Sequence, residues 1–283
     1  MAVNGGYDGL RVCLNTFVRK GDWVLVENPS PPRVFDLVES TGARVFLLER
    51  DEDGVLPSSL ERGIARGPAA CILQPGVHSP LGTVMTPRRR DELVEVLKGS
   101  SMLVIEDDSV GALFDDRLTP LGLLLDSPHL FVRSYSKSHG PDLRLAVIEG
   151  AEEHVAKVNS YFDFGARWVS HPLQAALAWM LEDPESQRQV QHAKAVYDER
   201  RETLREALRR RGVDALPSTG FGFIIPVRDE ACAHELLRGQ GIATYQANPL
   251  QSVRKGAWMR ISISELPIEN VEAVADLLSQ AVL

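Results

Sequence analysis

Six short apolar runs alternate with amphipathic stretches through the first 150 residues of the chain. Each run is continuous rather than interrupted by polar residues, which is typical of strands buried on both faces of a parallel sheet. Helix-period patterns between them, such as residues 34–39 and 90–97, predict the crossover helices that parallel strands require. The apolar runs are residues 23–26, 45–48, 70–73, 103–105, 130–132 and 145–148. We therefore predict an α/β fold with a mainly parallel sheet and helices on both faces.

From about residue 151 the pattern changes to one long helix followed by shorter elements. The long amphipathic pattern covers residues 184–211 and is ended by Gly212. Strands are then predicted at residues 221–227, 242–245 and 258–264, and helices at residues 230–238 and 267–282. The chain is therefore predicted to form a large domain at residues 1–182 and a smaller C-terminal α+β domain at residues 183–283.

Composition and charge narrow the function classes. The 283 residues are 44% apolar and 25% charged, values typical of a globular protein with a full core, and the net charge is −8. Direct binding of nucleic acid is not expected, because it needs a concentrated positive patch. The densest cationic run, residues 87–91, is predicted to be the solvated start of a helix.

Cysteine usage and hydropathy favour a protein of the reducing cytoplasm. The three cysteines (Cys13, Cys71 and Cys232) are odd in number and far apart, so neither a disulfide framework nor a metal cluster is predicted. No apolar run approaches the roughly 18 to 20 residues that cross a bilayer. The first residues lack the charged and apolar regions of a signal peptide, so no membrane partner is expected.

A lysine flanked by small hydroxyl residues follows one of the predicted strands. Lys137 comes shortly after Ser134 and directly after Ser136, and Arg144 lies seven positions beyond it. A lysine in a partly desolvated pocket has a lowered pKa and can attack a carbonyl to form an imine. An arginine with hydroxyl groups can bind a phosphate dianion. The alternative is a loop lysine beside the start of a helix.

Acidic residues stand where ligands of parallel sheets bind. Asp107 and Asp108 follow the apolar run at residues 103–105, at the predicted carboxyl end of a strand. A carboxylate there can keep a pyridine nitrogen protonated, which makes the ring an electron sink. An acid in this position can equally be a helix N-cap, and Asp108 stays a candidate for that role.

Small residues also precede the first helix pattern. The segment at residues 3–10 contains Gly5, Gly6 and Tyr7 immediately before an amphipathic stretch. Backbone N–H groups at such a helix start can bind phosphate, although glycine pairs are also common in ordinary turns.

Together these segments resemble the fold-type-I pyridoxal-phosphate (PLP) proteins, the aspartate-aminotransferase superfamily, and in particular the aminotransferase-like domain of MocR-type GntR regulators. The sequences that carry this resemblance are SKSHGPDLR at residues 136–144 and IEDD at residues 105–108. The resemblance implies that pyridoxal 5′-phosphate is the cofactor, that Lys137 forms the Schiff base with it, and that Asp107 pairs with its pyridine nitrogen.

The same resemblance implies further contacts with cofactor and substrate. The phosphate would be bound by side chains and backbone at Gly5, Gly6, Tyr7, Ser134, Ser136 and Arg144. Arg260, in the run WMRIS, matches the arginine that receives the α-carboxylate of the substrate. The alternative for Arg260 is an ordinary arginine on a surface strand.

Three positions depart from the family pattern. Ser79 replaces an asparagine, and Ser109 a tyrosine, that donate to the phenolic oxygen of the cofactor, whereas Pro31 replaces an aromatic residue that stacks on the ring. Serine can donate a hydrogen bond but has a shorter reach. His78 is a candidate replacement donor, the alternative being a solvated loop histidine. Residues that anchor the cofactor are thus kept, while residues that tune its electronics are changed.

The resemblance also has consequences for the N-terminus and the partners. Residues 2–3 would be all that this chain has of the expected first strand, so that an N-terminal arm would be missing. A fragment, a shortened reading frame or a partner chain that supplies the cover would each explain this. Because the family builds its site at a dimer interface, a homodimer is expected, with residues 170–174 near the phosphate of the neighbouring subunit.

Three functions are consistent with these residues. The first is a PLP-dependent, aminotransferase-like enzyme that acts on an amino acid or amine through Lys137, slowly or with redirected chemistry. The second is a PLP- and amine-sensing effector domain of a MocR-type regulator that lacks its winged-helix half. The third is a degenerate scaffold that no longer binds the cofactor.

Overall fold

The computed structural model describes residues 1–110, 113–114, 119–215, 218–244 and 257–282. The strands of its N-terminal part are β1 (Ala2–Val3), β2 (Trp23–Glu27), β3 (Arg44–Leu48), β4 (Arg50–Asp51), β5 (Gly54–Val55), β6 (Ala70–Leu73), β7 (Leu103–Asp108), β8 (His129–Ser134) and β9 (Ala146–Gly150). Seven of them form one sheet in the order β1-β9-β8-β7-β6-β2-β3, and β4 and β5 form a separate hairpin.

The helices begin with residues that favour a helix start. They are α1 (Gly6–Phe17), α2 (Pro32–Ser40), α3 (Pro57–Ile64), α4 (Pro87–Leu97), α5 (Glu152–Phe162), α6 (His171–Glu182), α7 (Pro184–Arg210), α8 (Glu230–Gly239) and α9 (Val271–Val282). Helices α2, α3, α4 and α7 start on proline, whose fixed φ suits a first helical position where no backbone donor is needed.

The direction of the strands confirms the predicted fold class. Strands β3, β2, β6, β7 and β8 pair in parallel in that order, whereas β9 is antiparallel to both β8 and β1. The sheet is therefore mainly parallel. The apolar run at residues 145–148 does form most of a strand, but its reversed direction was not predicted.

Both faces of the sheet are covered, which explains the continuous apolar runs. Val24 and Val26 of β2 pack in a buried cluster with residues of α1, α2, α5 and α6. Leu25, between them in the sequence, points to the other face and packs with residues of α3 and α4. Because successive side chains of a strand point to opposite faces, a strand covered on both faces is apolar at every position.

The cationic run at residues 87–91 is not solvated throughout, and the prediction is wrong at Arg89. The Arg89 side chain is buried, and its guanidinium donates to both Asp51 carboxylate oxygens at 2.8 and 2.9 Å. It also donates to the backbone carbonyls of Gly54 and Val55. The hydrogen bonds from Arg89 lower the pKa of Asp51, the largest of several causes. This arginine therefore holds the β4–β5 hairpin onto α4.

The C-terminal part has its own buried cluster, formed by residues of α7, α8, α9 and two antiparallel strands. These strands are β10 (Gly222–Val227) and β11 (Ala257–Ser262). The predicted long helix is present as α7, and the chain leaves it at Gly212, whose φ is 73°. The break between α6 and α7 falls at Asp183, beside the expected domain boundary, and the division into two domains stays a prediction.

The short strand expected at residues 242–245 does not form over residues 242–244, and Tyr245 lies outside the described residues. The amide of Ile242 donates back to the carbonyl of Leu237 at the end of α8, which keeps this segment in the turn that closes the helix. Among the helices of the described ranges, none combines the length and apolarity that a bilayer crossing would need.

Candidate functional site

A cavity of about 480 Å³ lies beyond the carboxyl ends of the central parallel strands. The sequence-predicted residues that line it are Gly6, Tyr7, Ser79, Asp107, Ser109, Ser134, Ser136, Lys137, Arg144 and Arg260. The remaining predicted residue, Gly5, is adjacent to Arg144. Residues from separate segments of the sequence thus meet at one place, where ligands of parallel α/β sheets bind.

One end of the cavity is formed by the N-terminus of α1. A Cβ atom added to Gly5 would lie 2.7 Å from Arg144 Nη2, and one added to Gly6 would lie 3.3 Å from Ser134 Cβ. Gly5 also has a φ of 92°, in the region that favours glycine. Any larger residue would crowd these contacts, so the two glycines leave the first N–H groups of α1 accessible to an anion.

Hydroxyl groups and a guanidinium lie beside this helix start. Ser136 Oγ is buried and has no hydrogen-bond partner among the described residues. Ser134 is also buried, and its Oγ accepts a hydrogen bond of 3.4 Å from the Ser136 amide. Arg144 follows a 3₁₀ turn, Pro141–Leu143, in a left-handed conformation with φ 49°. These donors are the kind that a phosphate dianion accepts, so this end of the cavity fits a phosphate group.

Asp107, near the end of β7, adds a carboxyl group to the cavity, in contrast to the hydrogen-bond donors at the phosphate end. Its side chain is buried, and burial raises its pKa to about 7, with smaller contributions from the negative charges of Asp108 and Glu27. No ion pair of Asp107 is present among the described residues. A buried carboxylate without a cation is unfavourable when ionised, and a positively charged ligand atom beside it would reverse that effect.

Asp108 has a different environment from its neighbour. Its carboxylate accepts a hydrogen bond of 2.7 Å from Arg133 Nε on the adjacent strand β8. The alternative role as a helix N-cap would involve the amides of residues 110 and 111, of which residue 111 lies outside the described residues. Of the two aspartates, Asp107 is the one that lines the cavity described above.

Lys137 lies in the turn that follows β8, and its side chain is exposed at the cavity. Its Nζ is 5.7 Å from the centroid of the Phe221 ring, a cation–π distance. The alternative given above, a loop lysine beside the start of a helix, describes the backbone at this position correctly. What it leaves out is that the ammonium shares a cavity with Asp107 and Arg144.

The C-terminal part contributes one wall of the cavity. Arg260 lies on β11 opposite Ile224 of β10, and both Phe221 and Gly222 line the cavity with it. Arg260 thus lies at the cavity, and its role toward a substrate stays a prediction. Phe221 places an aromatic ring in this wall, and Pro31, predicted to replace an aromatic residue, also lines the cavity.

Arg33 is a cavity residue that sequence reasoning missed. It lies in the first turn of α2, lines the cavity, and has its guanidinium carbon 5.8 Å from the centroid of the Tyr7 ring. No ion pair of Arg33 is present in the described part of the chain. Its place at the start of the helix that follows the apolar run at residues 23–26 is the signal that could have pointed to it, because ligands bind at this edge of a parallel sheet.

His78 is buried, so the alternative of a solvated loop histidine is wrong. Its Nε2 lies 3.4 Å from Glu27 Oε2, and its side chain is fully inaccessible to solvent. Burial, reinforced by the positive charge of Arg50, holds the pKa of His78 well below its usual value. The imidazole is therefore neutral and faces Glu27, while Ser79 is the loop residue whose hydroxyl belongs to the predicted site.

The chain is similar in sequence to known proteins. A family model described as aminotransferase class I and II matches residues 1–278. The chain is 29% identical over 282 residues to the vitamin B6 salvage pathway transcriptional repressor PtsJ of Salmonella typhimurium, covering 98% of this chain and 65% of PtsJ. It is 25% identical to the HTH-type transcriptional regulator YdfD of Bacillus subtilis, covering 96% of this chain and 58% of YdfD. The chain thus spans about three-fifths of the length of these relatives.

Solved structures share the fold. Alpha-aminoadipate aminotransferase LysN of Thermus thermophilus superposes with a TM-score of 0.88 at 20% sequence identity, covering 99% of this chain and 76% of LysN. At that level of identity the likeness establishes the fold, and the site has to be argued from its own residues.

Proposed function

Because the chain belongs to the aminotransferase class I and II family, we propose that it binds pyridoxal phosphate in this cavity and uses Lys137 to act on the amino group of an amino acid. Pyridoxal 5′-phosphate is the cofactor of this family, and when bound it supplies an electron sink for carbanion chemistry. One observation carries the proposal: a single cavity is lined by Asp107 of β7, by Lys137 in the turn after β8, and by Arg144 after the following 3₁₀ turn.

The described residues fit the two ends of this cofactor. The N-terminus of α1, Ser134, Ser136 and Arg144 would bind the phosphate, because they present N–H, hydroxyl and guanidinium donors to one point. Asp107 would hold a proton on the pyridine nitrogen, because a positive charge beside this buried carboxylate favours its ionised form. Lys137 Nζ is the basic group at the cavity that can hold the proton of the substrate α-carbon.

Charge in the cavity favours an amino acid over a simple amine. Among the described residues, the lining contains four cationic side chains, Arg33, Lys137, Arg144 and Arg260, against the single carboxylate of Asp107. The cofactor would engage Arg144, Lys137 and Asp107, and Arg33 and Arg260 are the other cationic side chains of the described lining. A guanidinium binds a carboxylate through paired hydrogen bonds, so we propose that Arg260 receives the α-carboxylate.

A second candidate function is an effector domain that binds PLP and an amine without turnover. Two observations favour it: the relatives PtsJ and YdfD are named as transcriptional regulators, and serine occupies positions 79 and 109 at the cavity. Serine reaches less far than the asparagine and tyrosine of the family pattern, which weakens control over the protonation of the cofactor.

One experiment separates these functions. The PLP-loaded protein is mixed with a panel of L-amino acids, and the absorbance of the bound cofactor and the amount of keto acid are followed together. An enzyme gives both a spectral change and about one keto acid per site in a single turnover, whereas an effector gives the spectral change alone. We expect Arg260→Gln to weaken the response to amino acids about tenfold or more, because a charged hydrogen bond is lost.

The matched control is Arg228→Gln, at an exposed position just beyond β10 and outside the cavity lining. It is expected to respond like the unmodified chain. A chain that shows no bound-cofactor absorbance at any PLP concentration contradicts both functions and leaves the degenerate scaffold.

We also propose a homodimer that covers an apolar surface formed by α6 and the segment between α5 and α6. Phe164, Trp168 and Trp179 are 92%, 61% and 63% exposed. Large apolar side chains grouped in this way mark association surfaces. The segment at residues 170–174, expected near the phosphate of a neighbouring subunit, lies within this surface.

Trp179→Glu is expected to weaken self-association by about tenfold or more, because an interface tryptophan is replaced by a charge. Sedimentation velocity over a concentration series measures this. Leu123→Glu, at a residue that is 77% exposed elsewhere, is the control. A wild-type chain that is monomeric throughout the series contradicts the dimer.

A further inference from the structure

The loop that carries Ser79 is held from beneath by a group of buried polar side chains. We define this floor network as Glu27, Arg50, Gln74 and His78. Glu27 is the last residue of β2, and Gln74 directly follows β6, the neighbouring parallel strand. The network therefore joins the carboxyl ends of two central strands directly below the cavity.

Glu27 is the centre of the floor network. Its Oε1 accepts a hydrogen bond of 2.6 Å from the backbone amide of Gln74. Its Oε2 lies 3.2 Å from Arg50 Nε and 3.4 Å from His78 Nε2. The side chains of Glu27, Arg50 and His78 are each at most 4% exposed. Burial raises the pKa of Glu27, and the charge of Arg50 opposes this effect, so the ion pair is what makes the buried carboxylate tolerable.

The network fixes the loop at its start, middle and end. The start is the Gln74 amide on Glu27. In the middle, the Ser79 amide donates to Gln74 Oε1 at 3.0 Å. At the end, Arg50 Nη1 donates to Thr83 Oγ1 at 3.0 Å. The backbone from which the Ser79 hydroxyl projects is thereby tied to strands β2 and β6.

The side chain of Gln74 holds the loop in place but leaves one of its own polar atoms unpaired. Its side chain is buried, and its Nε2 has no hydrogen-bond partner among the described residues. An unpaired buried donor lowers stability, and an apolar residue of similar length would avoid it. The amide oxygen, by contrast, satisfies the Ser79 amide.

We infer that Gln74 is a positioning residue, which places the Ser79 hydroxyl at the cavity by fixing the Ser79 backbone from the floor network. The inference deepens the proposed function and rests on it for the binding of the cofactor in this cavity, where the Ser79 hydroxyl is predicted to contact it. Since the floor network itself is a feature of the chain alone, its effect on the loop can be measured without cofactor.

The first test uses the protein without PLP. Gln74→Met keeps the length and removes the acceptor, so hydrogen exchange of the Ser79 amide is expected to become faster, on the order of tenfold. The melting temperature is expected to stay close to that of the wild type, because the unpaired Nε2 is removed as well. Gln187→Met is the control, since the Gln187 amide donates to Leu181 O at the surface, away from the cavity.

The second test is a double-mutant cycle on the PLP-loaded protein, with the pH at which the bound-cofactor absorbance changes as the readout. Gln74→Met and Ser79→Ala are each expected to shift this pH in the same direction. The double variant is expected to shift it no further than Ser79→Ala alone, because both changes remove one contact.

The outcomes distinguish the inference from the proposed function. Additive shifts, or a lowered melting temperature without any change in exchange or absorbance, overturn the positioning role of Gln74. If the wild type binds no PLP but Gln74→Met still accelerates exchange at Ser79, the proposed function has failed while the positioning of the loop stands.

Discussion

Lys137→Ala is expected to abolish the absorbance band near the visible edge that the wild-type chain gives with PLP. It is also expected to slow any amino-group exchange by about 100- to 10,000-fold, because the general base at the cavity is lost. Lys137 is the single lysine among the described lining residues, so none of them offers another amine. Absorbance titration with PLP and single-turnover keto acid formation measure the two effects.

The noncovalent contacts of the cavity are unchanged in this variant. The N-terminus of α1, Arg144 and Asp107 would still hold the phosphate and the pyridine nitrogen, so weak binding of PLP without the band is expected to remain. Lys98→Ala is the matched control, because the Lys98 ammonium pairs with Glu95 on the surface of α4, away from the cavity. If the band persists in both Lys137→Ala and Lys98→Ala, another amine reacts with the cofactor.

Asp107→Asn is expected to stabilise the cofactor-free protein at pH 8 and to change its stability little at pH 4. Burial raises the pKa of Asp107 from 3.8 to about 7 in the folded chain. Between these values the unfolded chain has released the proton while the folded chain still holds it. Stability is therefore full below about pH 4 and is lost as the pH rises towards 7, by about 4 kcal/mol at most. Asparagine resembles the neutral carboxyl group and removes this loss.

With PLP present the effect of Asp107→Asn is expected to be opposite. The amide cannot balance a protonated pyridine nitrogen, so PLP should raise the stability of this variant less than that of the wild type. Denaturant unfolding at pH 4, 6 and 8, with and without PLP, measures both effects. Asp91→Asn, at an exposed position of α4, is the control. Lower stability of Asp107→Asn at pH 8 without cofactor would show that the buried charge is not the dominant effect at this residue.

The two variants test one feature of the site: its residues favour binding of the cofactor at the expense of the stability of the cofactor-free chain. In the cofactor-free chain Asp107 is a buried carboxylate, Ser136 Oγ lacks a partner among the described residues, and glycines leave the start of α1 open. Each of these is unfavourable or neutral for folding alone. Each becomes favourable when a ligand with a phosphate and a basic ring nitrogen fills the cavity.

Local sequence patterns predicted the fold class and most of the polar residues that line the cavity. The run of Val24, Leu25 and Val26 predicted a strand covered on both faces, because only such a strand is apolar at every position. Lys137 and Asp107 were found because each follows a predicted strand, and parallel strands bring their carboxyl ends to one edge. The predicted resemblance to the aminotransferase superfamily and to MocR-type regulators is confirmed by the family match and by the regulators among the relatives.

Tertiary structure decided which polar side chains are buried and what they contact. Arg89 and His78 were predicted to be solvated or ambiguous, and both are buried against acids from other elements, Asp51 and Glu27. The reversed direction of β9 and the role of Gln74 beneath Ser79 were likewise invisible in the sequence. The physical reason is that hydrophobic periodicity reports which face of an element is covered, a local property. The partner of a charge or an amide, in contrast, is set by residues that are distant in sequence and meet only in the folded chain.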